Sequence, residues 1–340
     1  TMDMQSAIKA VTEHKDLSSD DMASVMRLIM TGEATPAQVG GFLIGLRMKG
    51  ETVEEVAAAA GVMRDLSTRV NVDAEHLVDT CGTGGDASQT FNVSTASAFV
   101  VAAAGGTVAK HGNRAASGNS GSADLLEAAG VNIAISPEQV AQCINHVGIG
   151  FMFAPTHHSA MKHAIATRRE IAVRTVFNLL GPITNPARAT HQLTGVFAEH
   201  WVEPMAEVLG RLGSQHALVV HSADGLDEIS LATTTSVAEY RNGEVSAYTI
   251  GPEEFGISPQ ALDPLIIEDS AQSLKLVRSA LSGEAGPAFD MVALNAGATL
   301  YAGDLSDSLK TGVGRAREIL SSASALEKLE ELAHFSQQFA

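Results

Sequence analysis

The strongest constraint on the fold is a pair of strand–loop–helix corners packed into one stretch, Leu77 to Gly130. A short apolar run, Leu77-Val78-Asp79-Thr80-Cys81, reads as a strand. It stops at Gly82-Thr83-Gly84-Gly85-Asp86, which is too rich in glycine to continue as strand or helix. Thr90-Phe91-Asn92-Val93-Ser94-Thr95 then leads into an alanine-rich helix, Ala96 to Ala104. A second loop, Lys110 to Ser122, feeds a second helix, Ala123 to Ala129. Strands that alternate with helices in this way form a largely parallel sheet, because each helix carries the chain back across it. The corners also suit an anion. Glycine lets backbone N–H groups approach phosphate oxygens, and helix N-termini add positive dipole ends.

Charge points the same way. The 340 residues include 39 acids and 22 Lys or Arg, a net of −17, yet no Asp or Glu falls between Ala87 and Ala123. From Ala87 to Ala198 the acids are Asp124, Glu127, Glu138 and Glu170. Against them stand Lys110, Arg114, Lys162, Arg168, Arg169, Arg174 and Arg188. An electropositive island in an acidic chain focuses its field on one cleft and favours a small polyanion. The acidic balance elsewhere argues against nucleic acid as a partner, since coating phosphates needs clustered Lys and Arg. Cys81 and Cys143 show neither metal-ligand spacing nor a disulfide framework, which fits a reducing cytosol. With no basic–apolar leader and no apolar run of membrane length, the chain is expected in the cytoplasm, away from membranes.

Before Val70 the punctuation is helical. Ser19-Asp20-Asp21 starts a helix that Gly32 ends, and Thr35-Pro36-Ala37-Gln38 and Thr52-Val53-Glu54-Glu55 are capping boxes. Gly40, Gly41 and Gly45 lie on the helix between them, at about 1 kcal/mol each relative to alanine. Close helix approach is their expected use, within the chain or in a dimer. Beyond Val70, strands are expected at Val131–Ile135, Ile149–Phe153, Gln192–Phe197 and Ala217–His221. Helices are expected at Ser136–His146, His158–Leu180 and Pro204–Leu212, with a hairpin turning at Asn242-Gly243. Helices then dominate, broken by a buried-strand pattern at Met291–Leu294. The expected class is α/β: a small N-terminal all-helical domain and a large α/β domain whose central, mostly parallel sheet is covered by helices. The helical domain takes residues 1–70, joined by helices around 160–190, and the α/β domain residues 71–340.

Three constellations carry chemistry. Gly82-x-Gly84-x-x-Ala87 follows a strand as a dinucleotide loop does, but the ribose-binding acid about 20 residues on is missing. Asp227 and Glu228 sit together at a strand's carboxyl end and offer hard oxygens to Mg²⁺. Alone they read as a solvated acidic turn; beside a polyanion cradle, metal binding is favoured. Thr156-His157-His158-Ser159-Ala160-Met161-Lys162-His163 matches no zinc spacing, while Arg168 beyond it is able to fork onto a substrate carboxylate.

Taken in order, the segments Gly82–Asp86, Thr90–Thr95, Lys110–Arg114, Ser120–Asp124, Arg174–Pro182 and Asp224–Glu228 resemble the anthranilate phosphoribosyltransferase family of tryptophan biosynthesis. One departure is Ala87, where many relatives carry glycine. The resemblance implies the fold shared with pyrimidine nucleoside phosphorylases and a homodimer formed through the helical domain. It implies transfer of phosphoribose from phosphoribosyl pyrophosphate to the amine of anthranilate. Phosphoribosyl pyrophosphate contacts are implied for Gly82, Gly85, Asp86, Thr90, Asn92, Val93, Ser94 and Thr95. They continue through Lys110, His111, Gly112, Asn113, Arg114, Ala115, Ala116, Ser117, Gly118 and Ser122. Anthranilate contacts are implied for Gly82, His111, Asn113, His158, Arg168 and Pro182, and magnesium, as two ions, for Ser94, Asp227 and Glu228. Lys110 and Arg168 are the residues expected to carry catalysis. The alternatives are a pyrimidine nucleoside phosphorylase-like enzyme and a non-enzymatic, nucleic-acid-binding relative.

Overall fold

The computed structural model describes residues 1–116 and 118–340; Ser117, one of the implied phosphate-loop residues, lies outside the described residues. The apolar runs after Val70 pair into a single seven-stranded sheet. Its strands are β1 (Leu77–Gly82), β2 (Thr107–Gly112), β3 (Ile149–Phe153), β4 (His191–Gly195), β5 (His216–Ser222), β6 (Thr235–Arg241) and β7 (Glu244–Ile250). Their spatial order is β3-β2-β1-β4-β5-β6-β7. β1 to β5 run parallel, and β6 and β7 close the edge as an antiparallel hairpin. Asn242 and Gly243 both take positive φ at its turn, as a two-residue hairpin requires.

The chain grows to one side from β1 through β2 to β3, then returns to place β4 on β1's other side. Loops leaving neighbouring carboxyl ends therefore diverge between β1 and β4, opening a crevice there. Gly82 and Gly195, the last residues of the two strands, lie in register at its floor.

Ahead of the sheet come α1 (Met4–Thr12), α2 (Ser19–Met30), α3 (Pro36–Lys49) and α4 (Val53–Leu66). Both capping boxes form, with Thr35 and Thr52 accepting from the backbone N–H of Gln38 and Glu55. Gly45 is needed at its position: a Cβ there would fall 2.7 Å from Val11 Cγ2, so glycine brings α3 against α1 within the chain. The apolar faces of these helices merge with Val176, Phe177, Leu180 and Ile183, and with the helix Val202–Arg211 over β5 to β7. A second cluster joins α5 (Val93–Ala103), α6 (Ser122–Ala128) and α7 (Pro137–Val147) to the C-terminal helices. The α/β architecture with a helical N-terminal domain is the expected one. Among the described residues no helix is long and apolar enough to cross a membrane.

Three local expectations fail. Val131–Ile135 is no strand: Val131, Ile133 and Ile135 are buried in alternation, but Asn132 N donates to Ser336 Oγ and Ala134 N to Asn132 Oδ1. Alternating burial needs only an extended chain, and side chains here replace a ladder partner. The helix expected over His158–Leu180 is confined to Lys162–Ile171, stopped by Ala172 in the left-handed conformation, with one further turn at Phe177–Leu180. Met291–Leu294 belongs to the helix Pro287–Ala302, which is buried on all sides from Met291 to Leu300. A helix enclosed by neighbours loses the polar face that would distinguish it from a buried strand.

Candidate active site

The loops beyond the carboxyl ends of β1, β2, β4 and β5 form two unlike walls. On one, the turn after β5 is fastened by Leu226 N donating to Ser222 Oγ and by Ser230 Oγ donating to Asp224 Oδ2. It folds back onto β4 so closely that a Cβ on Gly195 would lie 1.6 Å from the carbonyl oxygen of Asp227. Asp227 N then donates to Asp86 Oδ2 (3.1 Å), and Gly84 N to Asp227 Oδ2 (2.9 Å). Three carboxylates, Asp86, Asp227 and Glu228, are thereby crowded together. Burial, then the charge of Asp86, pushes Asp227 up to about 7. Burial, then Asp227 and Asp86, pushes Glu228 well above the usual carboxylate range. Burial opposes ionisation of Asp86 too, but the hydrogen bonds from Asp227 and Ser88 outweigh it and hold Asp86 low. Hard oxygen donors short of positive charge fit a divalent cation such as Mg²⁺.

The other wall is cationic. Lys110, on β2, is buried, and its Nζ donates to Thr80 O (2.6 Å) and Ser94 Oγ (3.4 Å) at the start of α5. Among the described residues it has no carboxylate partner within ion-pair distance. Val93 and Thr95 are buried in the first turn of α5, where the Val93 amide donates to Phe91 O (2.8 Å). Asn92 fastens two loops, donating to Ser120 O and accepting from Ser273 Oγ. Thr90 pairs with Ile266, and its hydroxyl meets Ser88 Oγ. Gly112 packs against Ser122, while Ala116 and Gly118 are exposed. Two of the implied phosphate donors are engaged elsewhere. The Arg114 guanidinium pairs with Asp124 and Glu127 on α6 and lies over Phe153, and Ala115 N donates to Asp124 Oδ2. Asn113 Oδ1 accepts from Arg114 N.

Between these walls lies a buried histidine pair. His111 Nε2 meets the Gly181 carbonyl, which only accepts, so that nitrogen carries a proton. His111 Nδ1 lies 2.5 Å from Asp79 Oδ2. Asp79 is fully buried; burial opposes its charge, but His111 outweighs burial and holds the carboxyl low. His158 is also buried, and burial, then the charge of His111, brings it down to about 4. Pro182 is buried beside them, one residue after Gly181. Arg168, in the last turn of Lys162–Ile171, places its guanidinium over the Phe177 ring at 5.3 Å. No carboxylate among the described residues pairs with it.

Sequence comparison adds a decisive observation. The helical bundle domain of the glycosyl transferase family matches residues 5–67, and its a/b domain residues 74–326. The anthranilate phosphoribosyltransferase of Thioalkalivibrio sulfidiphilus is 63% identical over 98% of this chain and 99% of that protein. The same enzyme of Alkalilimnicola ehrlichii is 61% identical over 97% of each chain. The chain belongs to the anthranilate phosphoribosyltransferase family.

Solved members of that family superpose closely. The Thermus thermophilus enzyme gives a TM-score of 0.93 at 44% identity, covering 97% of this chain and 99% of its own. The Saccharomyces cerevisiae enzyme, solved with phosphoribosyl pyrophosphate and Mg, gives 0.89 at 25% identity over 98% of each. In this family member the sequence reading passed over Asp79 and Asn185 of the cleft. Asp79 orients His111 and is itself held by Asn185, which also donates to Ala109 O. A charged residue inside an apolar strand was the available sign. Arg174 stacks on Phe197 at 4.2 Å and donates to the Gly85 carbonyl, bracing the first glycine loop from the helical side. Ala87 takes a left-handed backbone at φ 57°, the conformation that glycine adopts without strain.

Proposed function

We propose that this cleft transfers the phosphoribosyl group of phosphoribosyl pyrophosphate to the amine of anthranilate, releasing pyrophosphate in tryptophan biosynthesis. The observation that carries the reading is Lys110: a buried ammonium without a carboxylate partner among the described residues, at the N-terminus of α5 and opposite an acid cluster. In the reaction the bond from ribose C1 to pyrophosphate breaks as the bond from nitrogen to C1 forms, and the amine gives up one proton. Negative charge grows on the leaving group, and Lys110 and the amides of Ser94 and Thr95 at the start of α5 stabilise it in this reading, with Val93 packing beside them. Mg²⁺ held by Asp227, Glu228 and Ser94 would add positive charge to the same oxygens. Lys110 donates to Ser94 Oγ within that donor set, and the family resemblance implies two ions there. Gly82, Gly85, Asp86, Thr90, Asn92 and the Lys110–Gly118 loop with Ser122 hold the rest of the donor.

Arg168 takes the anthranilate carboxylate, supported by its half-buried guanidinium on Phe177, while Gly82, Asn113, His111, His158 and Pro182 shape the ring's pocket. An aligned aromatic amine attacks without a strong general base, so positioning and electrostatics carry the rate. Residues 71–340 form the catalytic domain in this reading. Residues 1–70, joined by the segment around 160–190, form a homodimer. An apolar groove lined by Val11, Gly41, Ile44, Met48 and Ile171 supports that assembly, with Ile44 and Met48 exposed in it. Two free, buried cysteines are consistent with a cytoplasmic setting.

The test is the loss of anthranilate fluorescence on mixing protein, anthranilate, phosphoribosyl pyrophosphate and Mg²⁺, with each omitted in turn. Consumption that needs all four supports the reading. A folded protein that binds phosphoribosyl pyrophosphate yet consumes no anthranilate overturns the acceptor.

A further inference from the structure

The opposite end of the sheet carries a second cluster of titratable side chains that the transfer reaction does not use. His76 precedes β1, His191 opens β4, His216 opens β5, and Asp304 follows the helix Pro287–Ala302. His191 Nε2 lies 3.1 Å from Asp304 Oδ2, and the His76 and His191 rings lie 4.7 Å apart between centroids. One ligand atom from each of His76, His191 and Asp304 falls within 4.8 Å of the others. We propose that these three residues bind a first-row transition-metal ion, with Zn²⁺ as its representative.

Two imidazoles and one carboxylate suit zinc, nickel or copper and not magnesium, which prefers oxygen. Three protein ligands leave a coordination position for water, and His76 and Asp304 are exposed on that side. The supporting groups are in place. His191 Nδ1 lies 2.8 Å from Thr190 Oγ, so donation to that hydroxyl leaves the Nε2 lone pair directed at Asp304. Asp304 Oδ1 lies 2.8 Å from His216 Nδ1, and His216 Nε2 lies 2.7 Å from Glu239 Oε2. That chain fixes the carboxylate and leaves Oδ2 toward the ion. Two charges compete with the metal: Arg241, 3.7 Å from Asp304 Oδ1, and the proton that joins His191 to Asp304 in its place. The site stands apart from the cleft, since His191 and Gly195 are opposite ends of β4, about 13 Å along a strand. An ion there would tie together three segments distant in sequence.

The experiment is calorimetric titration of the whole protein with Zn²⁺ in excess Mg²⁺, beside His76→Gln and Asp227→Asn/Glu228→Gln. His76 is exposed, so its substitution leaves the fold intact, which the metal-free thermal midpoint checks. The wild type and the double variant are expected to bind one Zn²⁺ per chain at this site. His76→Gln weakens it by at least about tenfold, the lower bound for losing even an outer partner of a metal ligand. Co²⁺ used instead gives a visible absorption band that His76→Gln loses, and Zn²⁺ raises the thermal midpoint of the wild type and of the double variant but not of His76→Gln. Identical titrations of wild type and His76→Gln overturn the proposal, as does loss of all Zn²⁺ binding in the double variant.

Discussion

Carboxylates at the two ends of the same parallel strands meet opposite fates. At the amino ends, Glu239 accepts from His216, Tyr301 and Tyr248, and these bonds hold it low although burial opposes its charge. Asp304 is held low in the same way, burial being outweighed by His216 and then His191. At the carboxyl ends, Asp227 and Glu228 find no histidine or arginine partner among the described residues, and both are pushed up. At the amino ends the chain supplies its acids with partners of its own. At the carboxyl ends it leaves them short of positive charge, where the ligand of the transfer site is to supply it.

The sharpest test of this contrast is Asp227→Asn/Glu228→Gln. Turnover measured by anthranilate fluorescence should fall more than about 100-fold, through loss of charge stabilisation at the leaving group. The metal-free thermal midpoint at pH 8 should stay level or rise, since repulsion is removed. A lower midpoint together with retained activity would break the comparison. Next in size, Arg168→Ala should raise the KM for anthranilate about 10- to 100-fold, as expected for losing hydrogen bonds to a charged group. Steady-state kinetics should find kcat and the KM for phosphoribosyl pyrophosphate nearly unchanged.

The pH dependence should differ in sign between the two ends. Asp227 has a folded-state value of about 7, above its unfolded value, so its stabilising contribution is complete below about pH 4 and is lost as pH rises through 7. Urea unfolding without metal should show that decline, and Mg²⁺ should restore more stability at pH 8 than at pH 5.5. Glu239 and Asp304 are depressed, so their contribution is present above about pH 4.3 and is lost as pH falls through their folded values. Glu239→Gln should therefore flatten the acid limb alone. The smallest effect belongs to Ala87→Gly, which relieves a left-handed alanine in the cleft's first loop. Chemical denaturation should register a gain of at most about 1 kcal/mol, because glycine also loosens the unfolded chain.

What could be read in advance follows the range of the physics. Capping at Thr35 and Thr52 and the turn at Asn242-Gly243 depend on groups within four residues, and each forms as the local order requires. The strand–loop–helix corners and the acid-free stretch likewise belong to contiguous chain, so the α/β class and the anionic ligand were legible. Asp79 was not, because its partners His111 and Asn185 lie 32 and 106 residues away. They meet only because β1 lies between β2 and β4. Met291–Leu294 failed for a related reason: an apolar run is the same in sequence whether strands or helices enclose it. The sequence by itself determined which segments are regular, where the chain turns and where its charge gathers. Tertiary structure alone decided which acids are neutralised and which are left wanting a cation. That depends on what the topology brings within a few ångströms, where burial removes the water that would otherwise screen it.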